Sequence, residues 1–124
     1  MENEFELILT IVNEGFSEAV MDAARSKGAS GGTLISGRGT AKEETLAKFK
    51  VFMTPEKEVV LILSPKSNTK NILSIIYEKC GLTTDAHGIS FALPVDDVVG
   101  IKKAISIEDT KKDEEKNEES KENN

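Results

Sequence analysis

The sequence has one cysteine, one histidine, one tyrosine and no tryptophan in 124 residues. A single Cys80 cannot close an internal disulfide, so a disulfide-stapled secreted domain is excluded. His87 alone cannot build a histidine-rich metal site, and it leaves no alternative imidazole for a Ser/His/Asp relay. No apolar run is long enough to cross a bilayer. Nor does the N-terminus show the basic, apolar and small-residue succession of a signal peptide. A soluble, cytoplasmic protein is expected. Basic charge is not in excess either: 16 Lys and Arg stand against 22 Asp and Glu, for a net charge of −6. A nucleic-acid binder needs a concentrated cationic face to displace phosphate counterions, so neither nucleic acid nor membrane insertion is expected.

What is present divides unequally. Residues 108–124 hold eight acidic residues, four lysines and no apolar side chain. With nothing to bury, they cannot offset the entropy of ordering their backbone. A disordered charged tail is expected there, a solvated solubility segment on the plain reading and an acidic docking segment on the sharper one. Every apolar residue lies in residues 1–107, enough for one core in one domain of ordinary size.

Within that domain Phe5 to Val12 reads as a strand, with Phe5, Leu7, Leu9 and Ile11 on one side and Ile8 and Val12 on the other. Phe16, Ala19, Val20, Ala23 and Ala24 recur at helical spacing, which predicts a helix over 16–27 that Ser17 caps and Gly28 ends. Thr33 to Ser36 and Phe49 to Met53 read as a hairpin-like pair around a polar, glycine-led stretch. Glu58 to Leu63 is a strand stopped by Ser64 and Pro65. Ser67 or Asn68 then caps a helix with Ile72, Ile75, Ile76 and Lys79 on one face, and Gly81 ends it as Gly28 ends the first. Ile89 to Val95 is the last strand, with Pro94 near its end. Short apolar stretches at Val98 to Ile101 and Ala104 to Ile107 finish the domain.

The order βαββαβ is the ferredoxin-like arrangement of the α+β class: an antiparallel sheet with both helices on one face. Ile8, Val12, Phe52 and the interleaved Val and Leu residues of Glu58 to Leu63 make the second sheet face too apolar for water. Self-association is the expected way to cover it.

The densest glycine region is Gly28-Ala-Ser-Gly31-Gly32-Thr33-Leu-Ile-Ser-Gly37-Arg38-Gly39-Thr40. Gly32 to Gly37 has the spacing of a phosphate loop, but Arg38 and Gly39 replace the lysine and hydroxyl residue that a Walker motif requires. Exposed backbone N–H groups and a fixed guanidinium can still hold an anion such as phosphate; alternatively the glycines only turn the chain and Arg38 reaches solvent. The loop Thr83 to Gly88 carries hydroxyls, His87 and Gly88, which suit ligand contact, although a lone loop histidine is commonly just solvated. Asp96 and Asp97 are adjacent, so in a strand they point to opposite faces instead of forming a catalytic carboxylate pair. Cys80 reads as a packed thiol. Lys102 and Lys103 either direct an ammonium at a ligand between the two loops or lie on the surface. No residue trio supports catalysis, so no enzyme and no metal are expected.

Several short blocks occur together at fixed separations: Gly28-Ala-Ser-Gly31-Gly32-Thr33, the Gly37-Arg38-Gly39 loop start, His87-Gly88-Ile89-Ser90-Phe91, and Pro94-Val95-Asp96-Asp97-Val98-Val99. As a set, from about Phe5 to Lys103, they resemble the PII signal-transduction proteins. The resemblance implies a homotrimer whose sheets line a central core and whose inter-subunit clefts bind adenine nucleotides (ATP, ADP or AMP). It also implies a T-loop that touches a regulated partner, such as a transporter or metabolic enzyme. By that resemblance Gly31, Thr33, Gly37, Arg38 and Gly39 lie on one wall of the nucleotide cleft, His87 and Gly88 in the B-loop, and Lys102 in the segment from across the interface. The T-loop is Gly37 to about Lys48, with Thr40, Lys42, Glu43 and Glu44 as partner-binding residues.

The chain departs from the family pattern in ways that carry consequences. The loop has no tyrosine, so family-type uridylylation is not expected, and no glutamine at its start to chelate Mg²⁺ with 2-oxoglutarate. Ile89 stands in place of a phosphate-binding lysine and Gly100 in place of the first C-terminal arginine, with Lys102 at the second. Two fewer charge-assisted contacts, each contributing roughly 1.5 to 3 kcal/mol, favour ADP or AMP over ATP. The expectation is a PII-like sensor and not a standard agent of nitrogen regulation. Two rivals share the topology. An acylphosphatase-like hydrolase also needs an arginine-bearing phosphate loop, but it requires an asparagine on the second strand that Thr33 to Ser36 lacks. A trimeric scaffold without a nucleotide site is the other.

Overall fold

A computed structural model describes residues 4–40 and 55–101. Six main elements follow in order: strand β1 (Phe5–Asn13), helix α1 (Ser17–Ser26), strand β2 (Thr33–Arg38), strand β3 (Glu56–Pro65), helix α2 (Thr69–Cys80) and strand β4 (Ile89–Val95). A single 3-10 turn, Lys66–Asn68, leads into α2. The four strands form one sheet in the order β2-β3-β1-β4, and every neighbouring pair is antiparallel. This is the ferredoxin-like α+β arrangement the sequence order predicts.

β2 finds its partner among the described residues in β3. Thr33–Arg38 pairs with β3, from Thr33 opposite Leu61 to Arg38 opposite Glu56, whereas Phe49 to Met53 lies outside the described residues. β3 also begins earlier and runs on through Pro65, which sits opposite Phe5. Val98 to Ile101 forms neither helix nor strand. The stretch 104–107 and the tail 108–124 lie outside the described residues.

The second sheet face is apolar as expected and carries Val59, Leu61 and Leu63, but β1 is turned the other way from the expectation, and Phe52 lies outside the described residues. Ile8 and Val12 are fully buried beneath the helices, in one core with Val20, Val60, Ile62, Ile72 and Ile76. The face that no described residue covers carries the other register: Leu7 between Leu63 and Leu93, Leu9 between Leu61 and Phe91, and Ile11 between Val59 and Ile89. Residues directly opposite on paired strands share a face, so this is a continuous apolar surface. It is partly bare in the single chain, with Phe91 41%, Leu93 45% and Ile89 53% exposed. Strict alternation in β1 allowed either face to meet the helices. The small Thr10 and Ser90, which share a 2.7 Å hydrogen bond on the covered face, mark the side where helices pack close.

The helix ends agree with expectation at Gly28 and differ at Ser17 and Gly81. Ser17 does not cap α1; its hydroxyl instead donates to Glu58 Oε2 at 2.8 Å. Gly28 has φ +100, as an αL terminator should. Gly81 is extended (φ −70, ψ −176). The buried face of α2 runs through Ile72, Ile76 and Cys80, with Lys79 in solvent. No helix among the described residues is long and apolar enough to cross a membrane.

Candidate functional site

A cleft of about 690 Å³ opens beside the glycine-rich turn. Its rim is the turn from α1 to β2, where Gly28, Ser30, Gly31 and Thr33 face the end of β3 at Leu63 and Ser64. The turn is held from two sides. Asn68 Nδ2 donates to the Lys27 carbonyl at 2.7 Å, tying the end of α1 to the start of α2. Gly32 lies so close to β3 that a Cβ there would stand 2.9 Å from the Leu61 carbonyl and from Met21 Sδ. The glycines thus let the turn pack flat against the sheet, and Gly31, with open space around it, lines the cleft.

Gly37, Arg38 and Gly39 stand at the other end of β2. Thr33 and Arg38 are about 17 Å apart at about 3.3 Å per strand residue, so one chain does not gather these residues and Gly31 around a single cleft. Arg38 is exposed and lies opposite Glu56. The Gly39 N–H donates to the Pro55 carbonyl at 2.6 Å, closing the root of the segment that joins β2 to β3. Thr40 is exposed beside it. Lys42, Glu43, Glu44 and Lys102 lie outside the described residues.

His87 and Gly88 occupy the same end of the sheet as Arg38 but at the opposite edge, three interstrand spacings or about 14 Å away. His87 has φ +48, and its Nδ1 lies 2.9 Å from the Leu82 carbonyl. The Gly88 N–H donates to the Cys80 carbonyl at 2.8 Å, and a Cβ there would come within 2.2 Å of that oxygen. Gly88 also lines a second hollow of about 390 Å³ between α2 and β4, with Tyr77 and Ser90. Cys80 is fully buried, and burial raises its thiol above the usual range, which agrees with a packing role.

Two side chains at this end of the sheet have no place in the sequence analysis. Lys57 Nζ donates to Asn13 Oδ1 at 2.6 Å, and partial burial lowers its ammonium from the ordinary lysine value. Glu58 accepts from the Gly15 N–H and the Ser17 hydroxyl, which hold its carboxyl below the usual range. The charged triplet Glu56-Lys57-Glu58 opening a strand was the available signal, but its partners lie more than 40 residues away. Among the described residues, no three His, Cys, Asp or Glu side chains gather into a metal-binding group.

No family model and no curated protein matches the chain. Solved structures do. A PII protein of Arabidopsis thaliana bound to citrate superposes with a TM-score of 0.62 at 23% identity, over 81% of this chain and 82% of that one. A DUF3240 family protein of Shewanella baltica gives 0.59 at 14% identity, over 80% and 98%. A PII-like signalling protein of Thermus thermophilus gives 0.57 at 14% identity, over 77% and 90%. With its strand order, paired helices and glycine-rich turn, the chain has the PII-like fold.

Proposed function

We propose that the protein is a cytoplasmic, non-enzymatic PII-like regulator. Three copies pack their uncovered sheet faces together and bind an adenine nucleotide, ADP or AMP in preference to ATP, in the clefts between them. The observation that carries this reading is the apolar face around Leu9, Leu61 and Phe91, which a lone chain leaves partly in water. An exposed patch of this kind marks an interaction surface, and symmetric self-association covers it with one chain type.

The separated site residues fit the same reading. Gly31 and Thr33 stand at one end of β2, and Gly37, Arg38 and Gly39 at the other, so a pocket using both draws them from different copies. His87 and Gly88 lie at the Arg38 end, with Lys102 as a further cation. Arg38 supplies the guanidinium for phosphate, a charge-assisted contact. The citrate held by the Arabidopsis PII supports a small carboxylate as a second effector. Occupancy acts by its differential affinity for conformers of the loop Gly37 to Lys48. Through Thr40, Lys42, Glu43 and Glu44 that loop meets a regulated protein, a transporter or metabolic enzyme.

A thermal-shift panel with ATP, ADP, AMP and citrate tests the reading. A ligand selective for the folded state stabilises it by about 2.7 kcal/mol at a hundredfold excess over Kd. The expected result is a clear rise in Tm with ADP or AMP and a smaller rise for Arg38→Ala under the same conditions. No shift with any nucleotide overturns it in favour of the scaffold.

A further inference from the structure

A row of contacts crosses the sheet at the end where β1 finishes. On the β4 side, the Asn13 N–H donates to the Ala86 carbonyl at 2.9 Å and Asn13 Nδ2 to the Asp85 carbonyl at 3.1 Å. On the β3 side, Asn13 Oδ1 accepts from Lys57 Nζ at 2.6 Å. Lys57 is the cross-strand partner of both Asn13 and Gly37. Its stem runs beneath Gly39, where a Cβ would stand 3.2 Å from Lys57 Cε. Asn13 is 5% exposed, so its end of these bonds is buried.

From this row we propose that Asn13 is a positioning residue that couples the 82–88 loop to the Gly39–Pro55 root through Lys57. Only a carboxamide suits both neighbours: its oxygen faces an ammonium and its NH₂ a carbonyl, whereas a carboxylate is acceptor-only and an alkyl group is neither. That requirement also fixes the orientation of the amide. A displacement of the 82–88 loop pulls on the Asn13 side chain, which carries the Lys57 ammonium with it. The stem under Gly39 then shifts against the bond that closes the root. That this coupling serves signalling rests on the function proposed above. The coupling itself requires no ligand.

Amide hydrogen exchange on the full-length chain reads it directly, because exchange reports local opening. The variants are Asn13→Ala, Lys57→Met and the pair together. Lys57→Met keeps the stem on a half-exposed residue and so preserves the fold. Without ligand, Lys57→Met should speed exchange at His87 and Gly88 on the far edge, and Asn13→Ala should speed it at Gly39. Each increase should be about threefold or more, within the range for coupling through packed networks. The double variant should exceed neither single effect by much, since both cut one chain of contacts. Effects confined to the residues beside each substitution, or additive in the double variant, overturn the proposal. With ADP as the probe, protection at Gly39 should appear in the native chain and be lost in Lys57→Met while protection at Gly88 persists. If ADP changes nothing in the native chain, the nucleotide reading fails, and the ligand-free comparison still decides the coupling.

Discussion

Gly88 shows how single residues set this fold. Its missing side chain lets the start of β4 approach the end of α2 closely enough for its N–H to reach the Cys80 carbonyl, in space a methyl group would occupy. In the sequence Gly88 read as a ligand-contacting loop residue; the structure adds a packing reason for it to be glycine. Overpacking of this kind costs typically about 1–3 kcal/mol, and here the obstacle is backbone, which yields least. Gly88→Ala should therefore cost stability at the upper end of that range, seen as a lower urea midpoint with the slope unchanged. Gly31→Ala, in open space, should leave it nearly unaltered. Equal midpoints for the two variants would contradict the packing argument. Cys80 was legible as a packed thiol because it stands in the last turn of a helix with no second cysteine to pair with. Lys57 and Asn13 were not legible, because their meaning lies in a pairing between strands separated by two other elements.

At the scale of elements, the join between β3 and α1 is made by Glu58. Its carboxylate takes hydrogen bonds from Gly15 and Ser17 at the start of α1. A negative group there also meets the positive end of the helix dipole. Those bonds favour the charged form and hold the folded carboxyl below its ordinary value. The stabilisation is therefore complete above the ordinary glutamate range, about 4.3, and disappears as the pH falls through the lower folded value. Thermal unfolding between pH 7 and pH 3 should show Glu58→Gln less stable than the native chain at neutral pH, with the difference shrinking below pH 5. A difference that grows toward acid would contradict the assignment.

Helix positions and the order of elements were readable in advance, because apolar spacing and terminal glycines act locally. Strand partners were harder. The pairing of β2 with β3, whose β-branched and leucine residues offer cross-strand contact, was not named in advance, and the expected partner Phe49 to Met53 lies outside the described residues. The helix-covered face was also misread. β1 is apolar on both sides, and only its tertiary burial, which covers Ile8, Thr10 and Val12, distinguishes them.

For the whole molecule, the central claim is that copies of this chain associate through the face carrying Leu7, Leu9, Ile11, Leu61, Leu63 and Phe91. The chain's acidic net charge of −6 opposes close approach only weakly at ordinary salt, so hydrophobic burial decides the outcome. Phe91→Asp places a charge in the middle of that face, where desolvation is costly. It should dissociate the assembly and, in the same step, abolish the nucleotide-dependent rise in Tm, if the proposed clefts lie between copies. A variant that stays assembled, or that binds as a monomer, would separate site from interface and contradict the account.

Sedimentation equilibrium of the full-length chain at micromolar concentration tests the claim most directly. The account gives a single species of three times the chain mass of 13.5 kDa, reduced to the chain mass by Phe91→Asp. A native chain that sediments at 13.5 kDa across the concentration range would contradict it.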